Sequence, residues 1–185
     1  MGAETLRRAR AVHPIVDLQI EYSLISRGIE AEILPACREL GIAVTAYGVL
    51  SRGLISGHWS PARAGAKGDS RNLAPRFAPE NLGANLRLVE TLRGLAGHRG
   101  VSVAQLAIAW VLSRGVDIVP VIGSRRCGQL AEALGALEVR LDAADLARIA
   151  AAVPPGTAAG ERYNAHQMAL LDSERGRAAH APRGS

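Results

Sequence analysis

The chain has 185 residues, 48% of them hydrophobic, which is enough apolar material for one well-buried domain. Its net charge of +5 comes almost entirely from arginines spread along the chain, and aromatic residues make up only 3%. This pattern favours a solvated, arginine-rich surface over nucleic-acid binding, which needs a basic face and stacking aromatics. Two distant cysteines argue against a disulfide framework, and no apolar stretch is long enough to cross a membrane, so we expect a soluble, cytoplasmic protein.

The first part of the chain alternates between helical and strand patterns. Apolar residues recur at helical spacing over 3–13 and predict a first helix, which a following proline ends. Residues 17–24 alternate apolar with polar side chains, as strands do. Helical spacing returns over 30–40, and the uncharged, β-branched run over 42–47 predicts a fully buried strand.

The middle of the chain begins with a stretch in which apolar residues recur at neither helical nor strand spacing. Residues 58–79 are rich in Gly, Pro, Ala and Arg and predict a long surface loop. Two helices are predicted over 81–100 and 102–115, the second apolar on almost every side and therefore buried. A short apolar run over 117–124 predicts a third strand that leads into a tight turn.

The last part of the chain is helical before it becomes polar. Helices are predicted over 124–137 and 141–153, and residues 172–185 lack hydrophobic content and predict a disordered tail. Strands that alternate with helices indicate an α/β fold with parallel strands and helical crossovers. Three strands make a thin sheet with two open edges, fewer strands than this number of helices needs.

Two glycine-containing turns follow predicted strands. Gly123 precedes a helix and is followed by Ser124, Arg125 and Arg126, so backbone N–H groups, a hydroxyl and two guanidiniums could bind a phosphate there. A βα turn with solvated arginines explains the same residues equally well. The run from Leu50 to Gly57 is a weaker candidate of the same kind, because most glycine-rich loops are only turns.

Other chemistry-bearing residues lack partners at a suitable spacing. The five histidines form no i, i+4 pair, so a zinc site is not predicted. Lys67 lies in the irregular loop, which gives no support for a rigid Tyr–Lys pair. Tyr22 and Tyr163 are interpreted as packing residues, and Cys127 has no histidine partner that would make it a nucleophile.

Longer segments carry more information than either turn. In chain order they are LQIEYSLISRGIEAEILPACRELGIAVTAYGVLSRGLISG, RFAPENLGANLRLVETL, VSVAQLAIAWVLSRG and DIVPVIGSRRCGQLAEALGALEVRL. Over 3–171 these segments closely resemble the C-terminal half of bacterial aldo-keto reductases. The RFxxENLxxN pattern is most similar to the branch of pyridoxal-reductase-like and auxin-induced-protein-like enzymes. The resemblance implies a partial (β/α)8 TIM barrel whose three strands correspond to the sixth, seventh and eighth.

The resemblance also implies an NADP(H) site at the carboxyl ends of the strands. Gln19 resembles the residue that binds the nicotinamide carboxamide, and Tyr47 resembles the aromatic that stacks on the nicotinamide ring. The remaining implied cofactor-binding positions are the pyrophosphate loop Leu50, Ser51, Arg52 and Gly53, the strand-end residue Gly123, the 2′-phosphate and ribose contacts Ser124, Arg125 and Gln129, and the adenine contact Glu132.

Several positions depart from the family pattern. The usual Ser-Pro-Leu-Gly after the tyrosine is Gly48-Val49-Leu50-Ser51, and Ala133 replaces an asparagine that contacts adenine. The family's catalytic tetrad of Asp, Tyr, Lys and His comes from the first half of the barrel, and no position here matches it. No catalytic residue is therefore assigned.

Two functions remain open from the sequence. The first is an NADPH-dependent oxidoreductase that reduces aldehydes or ketones to alcohols, with this chain as its cofactor-binding half and inactive by itself. The alternative is a non-catalytic half-barrel that binds a nucleotide or a partner protein. In either case we expect open strand edges to cause self-association or pairing with an N-terminal half.

Overall fold

The computed structural model describes residues 1–60 and 67–174. In chain order, its helices and strands are α1 (Ala3–Val12), β1 (Asp17–Glu21), α2 (Ile33–Leu40), β2 (Ala43–Tyr47), α3 (Pro79–His98), α4 (Val103–Leu112), β3 (Ile118–Pro120), α5 (Cys127–Gly135), α6 (Ala143–Ala152) and α7 (Ala165–Leu170). Short 3-10 helices include Ser51–Ser56, Ser70–Leu73, Pro75–Phe77 and Asp172–Glu174. The α/β class predicted from the alternating pattern is confirmed.

The three strands form one parallel sheet in the order β1-β2-β3. Gln19 pairs with Thr45 and Glu21 with Tyr47, so the ends of β1 and β2 lie side by side. The crossovers run through helices, as parallel strands require. All three carboxyl ends therefore lie at one edge of the sheet.

The two faces of the sheet differ sharply in burial. One face packs under the helices and includes the buried Leu18, Val44 and Ile118. The opposite face carries Gln19, which is exposed, and Val119, which is 57% exposed. We call this second face the open face. Parallel sheets normally have both faces covered, so the exposure of these residues is unusual for the fold.

Local sequence signals account for several helix ends. The Ser102 side chain accepts a hydrogen bond from the Gln105 N–H in a capping box at the start of α4. Gly41 ends α2 in the left-handed conformation, with φ of 67°. Among the described residues no single helix is long and apolar enough to cross a membrane; α3 and α4 would suffice only as a pair, and the chain bends by 83° between them.

Several predicted boundaries are too generous. The strand predicted over 17–24 ends at Glu21, because the chain turns back and Ser23 pairs with Ser26. The strand predicted over 117–124 contains only Ile118–Pro120. The helix predicted from 124 begins at Cys127, since the turn before it is extended at residue 126.

The described parts of the predicted long loop and tail contain short 3-10 helices. Of the loop predicted over 58–79, residues 61–66 lie outside the described residues, and two 3-10 helices occupy much of the rest. Asp172, the first residue of the predicted disordered tail, accepts hydrogen bonds from the Gly2 N–H and the Thr5 hydroxyl and begins a 3-10 helix. The structure describes the predicted tail only over 172–174; residues 175–185 lie outside the described residues, and for them the tail stays a prediction.

Candidate cofactor site

The two residues predicted to contact the nicotinamide lie on the open face of the sheet. Gln19 is exposed in the middle of β1, and Tyr47 is half-buried at the end of β2. Because Gln19 is paired with Thr45, two residues before Tyr47, the two side chains are diagonal neighbours on one face. An amide and an aromatic ring thus stand together on the open face, with the ring at the carboxyl edge of the sheet.

Tyr47 is held by a residue from the end of the chain. Its hydroxyl lies 3.0 Å from the hydroxyl of Tyr163. Burial raises the pKa of the Tyr47 phenol well above its usual range, and the hydrogen bond with Tyr163 adds to that effect. Tyr47 is therefore a neutral phenol at physiological pH and a weak acid.

A buried carboxylate lies beside Tyr47. Glu21 accepts a hydrogen bond of 2.7 Å from the Ser26 hydroxyl. Nη1 of Arg162 is 3.5 Å from one Glu21 oxygen, and Nη1 of Arg76 is 3.9 Å from the other. Burial lowers the pKa of Arg76, whereas the charge of Glu21 raises it. Two guanidiniums thus compensate one carboxylate at the end of β1.

The loop after β2 differs from an open phosphate cradle. Ser51 and Arg52 have φ of 47° and 58°, a conformation that strains residues other than glycine. The Ser51 N–H donates to the Gly48 carbonyl, and the Gly53 N–H donates to the Leu50 carbonyl. These two donors are used inside the loop, and Ser51 itself is buried. The exposed Arg52 side chain is the group that this loop offers to an anion.

The turn after β3 is open to solvent. Gly123, Ser124 and Arg125 are exposed. The Arg125 N–H donates to Oε1 of Gln129 at 3.0 Å, so this side chain closes the turn at the start of α5. Within the described part of the chain no acidic side chain forms a salt bridge with Arg125. A hydroxyl and a guanidinium are therefore available to a phosphate here.

The two halves of this edge are joined by a contact between a histidine and a carboxylate. Nε2 of His58, which follows the β2 loop, lies 3.2 Å from an oxygen of Glu132 on α5. The carboxylate predicted to contact adenine thus has a protein partner in this structure. The pair links the loop after β2 to the helix after β3, so the predicted pyrophosphate and adenosine positions belong to one surface.

A cavity of about 730 Å³ opens next to Glu21. Its walls come from the segment after β1, the 3-10 helix Pro75–Phe77 and the loop that follows α6, and its lining includes Ser26, Arg76 and Arg162. Sequence reasoning missed this cluster, although the alternation in β1 placed Glu21 on the face of Gln19. No group of three or more His, Cys, Asp or Glu within residues 1–60 and 67–174 could hold a metal ion.

The described tyrosines outside the sheet have different surroundings. Tyr22 is fully buried and packs against Trp110 at 5.5 Å, which confirms its predicted packing role. Tyr163 instead places its hydroxyl on Tyr47, and the guanidiniums of Arg52 and Arg162 lie 5.1 and 5.4 Å from its ring centre. The structure brings Tyr163 into the candidate site, which the sequence interpretation did not anticipate.

Comparison with known proteins identifies the family. The aldo/keto reductase family model matches residues 1–154. A probable aldo-keto reductase 1 of Glycine max is 45% identical over 160 residues, which cover 86% of this chain and 46% of that protein. The chain therefore spans about half the length of the curated relative that it matches.

Solved structures agree with this relationship. The glycerol dehydrogenase of Gluconobacter oxydans has a TM-score of 0.75 and 30% identity, over 84% of this chain and 48% of that one. An aldo/keto reductase of Klebsiella pneumoniae, solved with NADP and acetate, has a TM-score of 0.55 and 23% identity, over 80% and 43% of the respective chains. The fold is thus part of the (β/α)8 barrel of these enzymes, and the chain belongs to the aldo/keto reductase family.

Proposed function

We propose that this chain is the C-terminal, cofactor-binding half of an NADPH-dependent aldo-keto reductase of the pyridoxal-reductase-like branch. Its three strands would be the sixth to eighth of the barrel, and the complete enzyme would reduce aldehydes or ketones to alcohols. The observation that carries the proposal is the placement of Gln19 and Tyr47 as diagonal neighbours on the open face, at the edge where barrel enzymes bind their ligands.

The residues present fit the two ends of the cofactor. Within the described residues no aromatic ring or guanidinium stacks on Tyr47, so its ring is available to a nicotinamide, and Gln19 would bind the carboxamide. Ser124 and Arg125 would hold the 2′-phosphate. When bound, NADPH would supply the hydride that carbonyl reduction needs.

The middle of the cofactor site fits less completely. The N–H groups of Ser51 and Gly53 already donate to carbonyls of their own loop. In this proposal the Arg52 side chain, rather than the loop backbone, neutralises the pyrophosphate. Glu132 would reach adenine only by leaving His58, with which it is paired. We therefore expect affinity no better than tens of micromolar, roughly, for the isolated chain.

Tyr22 and Tyr47 do not replace the family's proton donor. A tyrosine acid in these enzymes needs a lowered pKa, which a neighbouring lysine provides. Burial and Tyr163 shift the pKa of Tyr47 in the opposite direction. Tyr22 is buried on the other face and donates to Glu30. In our proposal the proton donor for carbonyl reduction comes from the other half of the barrel.

An exposed apolar surface favours a protein partner. Leu130 and Leu134 lie one turn apart on α5 and are 52% and 55% exposed, and Val119 and Val121 are exposed at the end of the open sheet. A barrel of this kind has eight strands and the described sheet has three. A second copy of this chain could cover these residues, but two sheets of three strands would not complete an eight-stranded barrel. We therefore propose that a five-stranded half of the same family covers this surface, with self-association when that half is absent.

Titration of the purified chain with NADPH tests the cofactor assignment. Isothermal calorimetry on a sample shown to be folded by circular dichroism should give saturable binding, with a dissociation constant on the order of tens of micromolar or weaker. A folded sample that binds neither NADPH nor NADH at millimolar ligand would contradict the cofactor-binding half. That result would favour the non-catalytic half-barrel.

A further inference from the structure

The RFAPENLGAN segment, residues 76–85, forms hydrogen bonds with the loop that follows α6. Asn85 is 1% exposed, and its amide donates to the Ala159 carbonyl at 2.9 Å while accepting from the Ala159 N–H at 2.8 Å. The same amide nitrogen donates to the Arg76 carbonyl at 2.9 Å. Asn85 thus pairs with residue 159 as a neighbouring strand would, and it fixes the register of the loop.

The next residue of the loop is fixed by space. Gly160 has φ of 77°, and a Cβ at this position would stand 2.6 Å from Nδ2 of Asn81 and 2.8 Å from the Pro75 carbonyl oxygen. Asn81 itself donates to the Pro75 carbonyl at 2.9 Å. Only glycine fits this backbone conformation and this spacing. The loop is therefore seated in one position by the segment that begins α3.

That position determines where the next two side chains lie. Arg162 reaches Glu21, and Tyr163 places its hydroxyl on Tyr47. The Tyr163 ring is flanked by the guanidiniums of Arg52 and Arg162, an arrangement that cation–π attraction stabilises. These contacts hold the Tyr163 ring in place, and the Tyr163 hydroxyl in turn holds the hydroxyl of Tyr47.

We infer that Tyr163 is a positioning residue for the cofactor, and that Asn85 and Gly160 set its place. The hydroxyl of Tyr163 restrains the Tyr47 ring in the orientation that stacks on a nicotinamide. The contact is at the tip of the ring, so it leaves the stacking face to the cofactor. This inference rests on the proposed function, because it assigns the role of Tyr163 at the same site.

The decisive comparison uses two ligands and two variants. Tyr163→Phe removes the hydroxyl and should weaken NADPH binding about three- to tenfold, the equivalent of one lost hydrogen bond. Adenosine 2′,5′-bisphosphate carries the 2′-phosphate but no nicotinamide, so its affinity should not change. Tyr22→Phe is the matched control: it removes the hydroxyl that donates to Glu30 on the covered face, and it should leave the affinity ratio of the two ligands unchanged.

A measurement without cofactor separates this inference from the proposed function. The chain has three tyrosines, so fluorotyrosine labelling gives three ¹⁹F resonances that Tyr→Phe variants assign. Asn85→Ala should shift the Tyr47 and Tyr163 resonances and leave the Tyr22 resonance in place. Gly160→Ala, which displaces the loop through a different contact, should produce the same pattern and covers the case in which the Asn85 variant does not fold.

The outcomes are distinct. Equal weakening of both ligands by Tyr163→Phe, or unchanged NADPH affinity, would overturn the positioning role. Binding of neither ligand by the wild-type chain would refute the proposed function. In that case a Tyr47 resonance that moves in the Asn85 and Gly160 variants supports the restraint, and one that stays fixed in both overturns it.

Discussion

Gly48 lies directly against Glu21, so that a Cβ on residue 48 would stand 3.0 Å from Cγ of the glutamate. The backbone of Gly48 is also left-handed, with φ of 67°. The turn after β2 and the position of the Glu21 carboxylate at the end of β1 therefore both require a residue without a Cβ at position 48. A substitution at Gly48 is therefore expected to disturb both the Glu21 carboxylate and the adjacent ends of the paired strands β1 and β2.

Gly48→Ala should destabilise the fold. The left-handed conformation costs a residue with a Cβ about 1 to 2 kcal/mol, and the close contact with Glu21 adds to that cost. Urea unfolding followed by circular dichroism measures the change. Gly94→Ala is the control, because residue 94 lies inside α3 with nothing within 4 Å of the added Cβ, and it should stabilise the chain by up to about 1 kcal/mol. Equal stability of the Gly48 variant and the wild type would contradict the contact.

Asp145 should make stability depend on pH below about 4. The hydrogen bond from Arg148 lowers the pKa of this buried carboxyl, and the Asp142 N–H acts in the same direction. Because the folded pKa lies below the unfolded value, the stabilisation is fully present above the unfolded pKa and is lost as pH falls through the folded one.

The Asp145→Asn variant tests this dependence. It should cost roughly 0.3 to 1 kcal/mol at pH 7, because the hydrogen bond to Arg148 loses its charge and the Arg148 side chain is 62% exposed to screening solvent. The difference between variant and wild type should shrink in chemical unfolding experiments as pH falls towards 3. A difference that stays constant from pH 7 to pH 3 would rule out the charge as its source.

Self-association should depend on the apolar face of α5. Leu130→Glu combined with Leu134→Glu should reduce association of the isolated chain at least about tenfold in concentration, because two half-exposed leucines would no longer bury apolar surface in a contact. Size-exclusion chromatography with light scattering measures this. Leu170→Glu, on the exposed face of α7, should have no such effect. A wild-type chain that is a monodisperse monomer at high concentration would contradict the role of this surface.

The isolated chain should not reduce carbonyl compounds. Burial raises the pKa of the Tyr22 and Tyr47 phenols, which makes both of them poorer proton donors, and the family's tetrad has no match in the sequence. NADPH oxidation with pyridoxal or a nitrobenzaldehyde should equal that of a heat-treated sample. Turnover clearly above that background would show that residues of this chain supply the proton.

The sequence predicted what depends on local pattern. Alternation in β1 placed Gln19 on one face of a strand, and Gly123 marked the turn before α5. It could not predict the pairing of Tyr47 with Tyr163, which are separated by 116 positions and share no local signal. The sequence also could not predict that the Ser51 N–H donates to the Gly48 carbonyl, because this bond depends on backbone angles that residue types alone do not determine.

The preference for NADPH over NADH tests the central assignment most directly. Calorimetric titration of the wild-type chain should give at least about a tenfold preference, since one charge-assisted hydrogen bond to the 2′-phosphate is worth about 1.5 to 3 kcal/mol. Arg125→Ala should remove most of that preference and leave NADH binding nearly unchanged, whereas Arg126→Ala, at the adjacent N-cap of α5, should retain it. Equal affinity of the folded wild-type chain for the two nucleotides would contradict the account and leave the turn after β3 as a simple βα connection.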